Sequence, residues 1–162
     1  MRALGVVPAS MATLELKIPP PIVAILVATG MWCLSTVSPH FVPPAFRAAW
    51  ELVLVVVGVA FTAAGMVAFR RAKTTVNPLE PGAATTLVIS GVYRLTRNPM
   101  YVGLAFLLAA WAVFLWSPWA LLGLPAFVVF ISRLQIAPEQ RALLALFGRD
   151  YAAYVARVRP WL

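Results

Sequence analysis

The residue types best suited to bind a ligand are concentrated in residues 91–103, which read GVYRLTRNPMYVG. Gly91 permits a turn that other residues resist, and Gly103 leaves room for a ligand or another backbone to approach. Pro99 suits the first position of a helix, with Asn98 as its cap. A helix N-terminus offers free amide groups and a positive dipole end, so this segment is suited to a carboxylate or a phosphate.

Two arginines and two tyrosines in the same segment add hydrogen-bond donors and aromatic faces: Arg94, Arg97, Tyr93 and Tyr101. A structural interpretation is equally open, because arginines anchor a membrane interface and tyrosines form its aromatic belt. A second cluster surrounds Glu139, which is one of only five acids in the chain. Its carboxylate either stabilises the first turn of a helix or accepts hydrogen bonds from a ligand amine or ribose.

Several classes of enzyme lack their signatures here. The sequence has no GxSxG nucleophile elbow, no phosphate-binding P-loop and no dinucleotide fingerprint, which argues against a hydrolase or an NTPase. His40 is the only histidine and Cys33 the only cysteine. The sequence therefore predicts neither a His/Cys metal site nor an internal disulfide.

The composition places these residues in a membrane protein. Of 162 residues, 62% are hydrophobic and 11% are charged, against about 25% charged in soluble domains. We expect an all-α integral membrane protein of one domain, residues 1–162. It divides into two N-terminal spans within residues 22–69 and a second part, residues 70–162, which holds a loop, a helical hairpin and C-terminal helices.

Four charge-poor segments predict four transmembrane helices: residues 22–38, 48–69, 100–116 and 119–132. The last two form one uncharged run of 33 residues (100–132), about 50 Å as a straight helix and too long for one crossing. Ser117-Pro118 interrupts it, so we expect a hairpin. In the tail, Leu143, Phe147, Tyr151, Tyr154 and Val158 recur at helical spacing, and Gly148 is a candidate break between two helices.

The basic residues predict the orientation. Twelve of the thirteen fall on the side of the two termini and the central loop, and Arg47 alone falls on the other side. The positive-inside rule therefore places both termini in the cytoplasm, with the bacterial inner membrane as the expected location. It also accounts for the net charge of +8 without a nucleic-acid partner.

Three separated motifs resemble the isoprenylcysteine carboxyl methyltransferase and phospholipid methyltransferase superfamily. They are residues 91–103, Ile136-Ala-Pro-Glu139, and Phe147-Gly-Arg-Asp-Tyr151-Ala-Ala-Tyr154. The lead-in Thr74-Thr-Val-Asn-Pro78, followed by Thr86-Leu-Val88, is similar to a bacterial branch of it. The resemblance covers residues 73–162. Gln135 and Gln140 depart from the family's usual arginine and second glutamate.

The resemblance implies methyl transfer from S-adenosyl-L-methionine bound at the cytosolic face. Carried over by position, the cofactor-binding residues are Leu87, Val88, Gly91, Tyr93, Asn98, Pro99, Tyr101, Gly103, Leu104 and Glu139. The expected acceptor is a lipid or a small hydrophobic molecule, whose methylated group is an isoprenylcysteine-like carboxylate, a phospholipid amine or a thiol. A carboxylate needs no general base, whereas an amine or thiol must lose a proton.

Arg94, Arg97 and Arg133 are the candidates for holding the polar head of the acceptor, on the grounds of charge and position. Two alternatives remain open. One is a small membrane protein without catalytic activity. The other is an NADPH-dependent reductase of the sterol type, which resembles the same C-terminal architecture.

Overall fold

The structure is a computed structural model that describes residues 15, 17–39, 42–72 and 85–162. All regular elements within these ranges are helical, which confirms the all-α prediction for this part of the chain. The predictions that concern Arg2, His40, Lys73 and the segment Thr74–Pro78 lie outside the described residues.

Five α-helices form the described part of the molecule. They are α1 (Pro20–Thr36), α2 (Arg47–Arg71), α3 (Pro99–Leu115), α4 (Gly123–Ile131) and α5 (Ala137–Arg157). Short 3-10 turns, Gly91–Arg94 and Trp119–Leu122, precede α3 and α4, and a π-helical turn, Ser132–Ile136, joins α4 to α5. The first helix starts two residues earlier than predicted, because Pro20 and Pro21 form its first turn and need no backbone N–H there.

Two of the helical stretches are long and apolar enough to cross a membrane: α2 and the continuous stretch Trp119–Arg157. The apolar helices α1 and α3 have 17 residues each, about 26 Å of rise against a hydrocarbon core of about 30 Å. The stretch Trp119–Arg157 spans 39 residues, about 58 Å. Residues 119–132 carry no charge and all the charges follow them, so α5 extends beyond the part suited to hydrocarbon.

The predicted reversal between the third and fourth apolar segments is confirmed. Helix α3 ends at Leu115, and Trp116 then adopts a left-handed conformation with φ 47°. The buried Ser117 and the exposed Pro118 follow, and α4 packs back against α3. The α-helix of the fourth segment ends at Ile131, one residue before the predicted Ser132, and the π-turn Ser132–Ile136 then joins it directly to α5.

Helix α3 is central to the packing. It packs most extensively against α2, and its other side contacts α1 and α4. Buried Met31, Tyr101, Leu108, Phe127 and Ile131 belong to one hydrophobic cluster shared by α1, α3 and α4. The outward faces of α1 and α2 expose many large apolar side chains, as expected of helices that contact lipid. They include Ile25, Leu26, Trp32, Trp50, Leu52 and Val56.

The C-terminal helix contains the predicted break. Gly148 has φ 48° and ψ −118°, so α5 consists of two helical halves. Tyr151 and Tyr154 in the second half are buried, which supports the predicted apolar face. Val158 lies beyond the end of the helix.

Candidate functional site

The candidate site lies where the first turns of α3 and α5 meet. Pro99 begins α3 and Pro138 lies in the first turn of α5, which places Tyr101 and Glu139 each one turn or less from a helix N-terminus. The Tyr101 hydroxyl donates a hydrogen bond to Oε1 of Glu139. These two predicted site residues are 38 positions apart in sequence, and the structure brings them into direct contact.

Burial controls the charge of the Glu139 carboxyl. It lies beyond the apolar segment that ends at Ser132, yet Glu139 is only partly exposed. Burial raises the pKa of Glu139 from 4.5 to about 7, and the hydrogen bond from Tyr101 opposes part of that rise. The carboxyl is therefore balanced between its neutral and ionised forms near neutral pH, and a nearby cation favours the ionised form.

Tyr93 forms a second wall of the site. Gly91 starts the 3-10 turn with φ 62°, a left-handed conformation that confirms the predicted need for glycine. The turn buries Tyr93, whose ring meets Phe69 edge-on at 5.4 Å between centroids. Its carbonyl oxygen accepts a hydrogen bond of 2.6 Å from the Tyr154 hydroxyl. Burial raises the pKa of Tyr93, and the charge of Glu139 adds to the rise, so both residues share one electrostatic environment.

The prediction that the Asn98 side chain caps α3 is wrong. Asn98 does occupy the position before α3, but its side chain makes no capping hydrogen bond. Instead Nδ2 donates to the carbonyl oxygen of Pro160 at 2.9 Å. Thr96 donates to the same oxygen at 2.9 Å, and the backbone N–H of Arg97 donates to Arg159 O at 2.9 Å. The C-terminal segment, residues 158–162, therefore lies against the loop before α3.

The other predicted cofactor-binding residues differ from one another in burial and in what they contact. Val88 and Pro99 are buried, and Leu87 and Leu104 are partly exposed. Gly103 packs against Gly58 and Thr62 of α2, so the approaching group at this position is another backbone. The assignment of these residues to a cofactor pocket stays a prediction.

The three predicted acceptor-binding arginines occupy unlike positions. Arg94 and Arg133 are exposed, whereas Arg97 points inward. Arg133 lies at a cavity of about 400 Å³ that is otherwise lined by apolar side chains of the helix. These are Pro125, Ala126, Val129, Phe130 and Leu134.

One residue of interest was missed as a site residue. Gln135 is completely buried in the π-turn, a feature frequent at functional sites. Its Nε2 donates to Ile18 O at 2.7 Å, while its Oε1 has no hydrogen-bond partner within the described part of the chain. The orientation of the amide follows from chemistry, since a carbonyl oxygen can only accept. The available signal was a lone amide between apolar residues, one turn before Glu139.

The contact between the C-terminal segment and the loop gives a testable prediction for stability. Thr96→Val keeps the shape of the side chain but leaves the partly buried Pro160 carbonyl and Asn98 N–H each with one partner fewer. We expect the free energy of unfolding in detergent to fall by about 1–3 kcal/mol. Thr29→Val is the matched control, because the exposed Thr29 hydroxyl bonds only to Ile25 of its own helix. Equal stability of the two variants would contradict the prediction.

Comparison with known proteins gives a family match. A family model described as phospholipid methyltransferase matches residues 46–150, more than half of the chain. An uncharacterized protein from Haemophilus influenzae is 40% identical over 63 residues, which cover 39% of this chain and 100% of that protein. No solved structure matches.

The matched region contains α2, the loop with Tyr93, all of α3 and α4, and the start of α5 with Glu139. It therefore includes both sides of the Tyr101–Glu139 contact. Together with the apolar helices, the match identifies a membrane protein of the methyltransferase kind. The chain belongs to the phospholipid methyltransferase family.

Proposed function

We propose that the protein transfers a methyl group from S-adenosyl-L-methionine to a lipidic or small hydrophobic acceptor at the membrane–cytosol interface. The observation that carries the proposal is the contact between Tyr101 and Glu139 at the meeting point of α3 and α5. It joins two of the three motifs on which the family resemblance rests. The proposed topology has four spans with both termini in the cytoplasm of a bacterial inner-membrane protein.

The residues around this contact suit the cofactor in charge and shape. S-adenosyl-L-methionine supplies an electrophilic methyl group on a cationic sulfur. Glu139 provides a carboxylate in a poorly solvated place, and an opposite charge close by stabilises its ionised form. Tyr93 and Tyr101 are buried aromatic side chains beside it, and aromatic faces attract cations. The buried side chains of Pro99 and Val88 add apolar surface.

The protein contributes to the reaction mainly by positioning the two reactants and by excluding water from them. Methyl transfer is an in-line displacement, so holding the two reactants in line and excluding water can supply much of the acceleration. Helix α3 fixes Tyr101, and α5 fixes Glu139. The C-terminal segment covers the loop on the side of Asn98. These elements restrict the orientation of a bound molecule and limit the access of water.

The acceptor is expected to enter sideways from the lipid. Arg133 is exposed at an apolar cavity of about 400 Å³ on α4, a combination that fits a polar head above a hydrophobic chain. Arg94 is a second exposed cation, in the loop before α3. We expect Arg94→Ala and Arg133→Ala to raise the acceptor KM and to leave cofactor affinity unchanged. Unchanged acceptor kinetics in both variants would remove this role.

The test of the proposal is calorimetric titration of S-adenosyl-L-methionine into the detergent-purified protein. Saturable binding is expected, followed by transfer of a labelled methyl group to a component of a membrane-lipid extract. NADPH is titrated in parallel. Binding of NADPH in place of S-adenosyl-L-methionine would favour the reductase alternative, and binding of neither to the folded protein would favour a role without catalysis.

A further inference from the structure

The backbone around Arg97 is held on both sides. Its N–H donates to Arg159 O at 2.9 Å, and the preceding Thr96 is completely buried with its hydroxyl on Pro160 O. The following Asn98 donates to the same Pro160 oxygen. The loop that carries Arg97 is therefore held in place directly before α3.

The guanidinium of Arg97 has unmet hydrogen-bonding capacity. Its Nε and Nη1 are screened from solvent and have no hydrogen-bond partner among the residues that the structure describes. The ion pair among the described residues joins Arg141 to Glu15, not Arg97 to an acid. Arg97 does hydrogen-bond to the side chain of Tyr151, but a buried donor that is left without a partner is costly. Arg94, three residues earlier, avoids that cost because it is exposed.

Two buried tyrosines accompany Arg97. The guanidinium lowers the pKa of both Tyr151 and Tyr154, although burial has the larger effect and raises them. The Tyr154 hydroxyl proton is already donated to Tyr93 O. Neither phenol supplies a negative charge at neutral pH, because burial keeps both protonated. The side chains around Arg97 thus leave its positive charge without a counter-ion among the described residues.

We propose that Arg97 is an oxyanion-binding residue of the site, whose guanidinium receives a carboxylate or phosphate oxygen of a bound ligand. This inference rests on the proposed function and adds a ligand group to it. Arginine offers only donors and stays charged, so an oxyanion is the partner that satisfies it best. Two sources carry this chemistry: the carboxylate of S-adenosyl-L-methionine and the anionic head of a lipid.

The first arm tests the cofactor as the source. Wild type and Arg97→Gln are titrated with S-adenosyl-L-methionine and with its decarboxylated analogue. If Arg97 binds the carboxylate, wild type loses about tenfold or more in affinity for the analogue. Arg97→Gln binds both compounds with one weakened affinity, because the two deletions remove the same interaction. Arg149→Gln is the control, an exposed arginine on the helix that carries Tyr151, and it should behave as wild type.

The second arm tests a lipid as the source. Phosphatidic acid or phosphatidylcholine is added to the protein in detergent, and the thermal unfolding temperature is measured. A lipid oxyanion on Arg97 predicts stabilisation by phosphatidic acid that is lost in Arg97→Gln and kept in Arg149→Gln. A positive result in either arm supports the proposal and names the source.

The proposal is overturned if neither decarboxylation nor phosphatidic acid distinguishes Arg97→Gln from wild type. If Arg97→Gln does not fold, wild type alone decides: equal affinity for the two cofactor compounds and equal stabilisation by the two lipids would overturn it. Failure of wild type to bind S-adenosyl-L-methionine at all contradicts the proposed function instead, and the lipid arm still tests Arg97.

Discussion

Glu139→Gln is expected to weaken the binding of S-adenosyl-L-methionine by about tenfold to a hundredfold, the loss of one charge-assisted interaction. Glutamine keeps the size of the side chain and can still accept the hydrogen bond from Tyr101. The variant therefore removes the charge with little change in packing. Calorimetry at a fixed pH above 7 measures the loss.

The matched control is Asp150→Asn, which removes a carboxylate from an exposed position on the same helix. It should bind the cofactor as wild type does, because an exposed charge at that distance is screened by water and salt. Equal affinities of wild type, Glu139→Gln and Asp150→Asn would remove Glu139 from the cofactor site.

The same carboxyl predicts a pH dependence. Because burial raises the pKa of Glu139 to about 7, the free protein gains a proton there as the pH falls below that value. A cationic cofactor prefers the ionised form, so its affinity should rise between about pH 6 and pH 8 and then level off. Glu139→Gln should lose this slope. An equal slope in both proteins would assign it to another group.

Stability should change with pH in the opposite direction. The folded pKa of Glu139 lies above its ordinary value of 4.5, so the folded state binds the proton more tightly than the unfolded state. The contribution to the free energy of unfolding is fully present below pH 4.5 and is lost as the pH rises through about 7. Affinity and stability are thus expected to have opposite pH slopes, and both slopes should be absent in Glu139→Gln.

Local features of the fold were predictable because their causes are local. Pro99 begins α3, Gly91 forms the left-handed turn, Gly148 interrupts α5, and the chain reverses before Ser117-Pro118. Each follows from the dihedral restrictions of a proline or the freedom of a glycine. The start of α1 differed because prolines that look like a helix boundary can also form the first turn.

The contacts within the site were not predictable from spacing, since they join distant parts of the chain. Tyr101 and Glu139 were grouped by family resemblance alone, and the structure adds the hydrogen bond between them. Asn98 was expected to cap α3, but a carbonyl from the C-terminal segment competes successfully for its side chain. An amide side chain with two possible hydrogen-bond partners chooses between them according to the tertiary packing. A local sequence pattern carries no information about that packing.

Gly103→Ala is expected to lower the free energy of unfolding by about 1–3 kcal/mol, the usual cost of overpacking. A Cβ at position 103 would lie 2.1 Å from Thr62 Oγ1 and 2.6 Å from the backbone oxygen of Gly58. The hydroxyl can rotate away, but the backbone oxygen can move only with α2. The two helices must therefore separate along their most extensive contact. Thermal unfolding in detergent measures the effect.

Two further variants make the prediction specific. Gly30→Ala adds the same methyl group to α1 at a point where, among the described residues, no atom beyond its own helix turn lies within 4 Å. It should therefore leave stability unchanged or raise it by up to about 1 kcal/mol through helix propensity. Adding Thr62→Ala to Gly103→Ala should restore little, because the Gly58 oxygen still obstructs the methyl group. Full rescue by Thr62→Ala would mean that the added methyl group collides only with the Thr62 side chain and not with the backbone of α2. Stability equal to that of Gly30→Ala would mean that α2 and α3 are not so closely packed.

Because Tyr101 lies on the same helix two residues before Gly103, the separation of α2 and α3 should also weaken cofactor binding in Gly103→Ala. Cofactor binding should stay intact in Gly30→Ala.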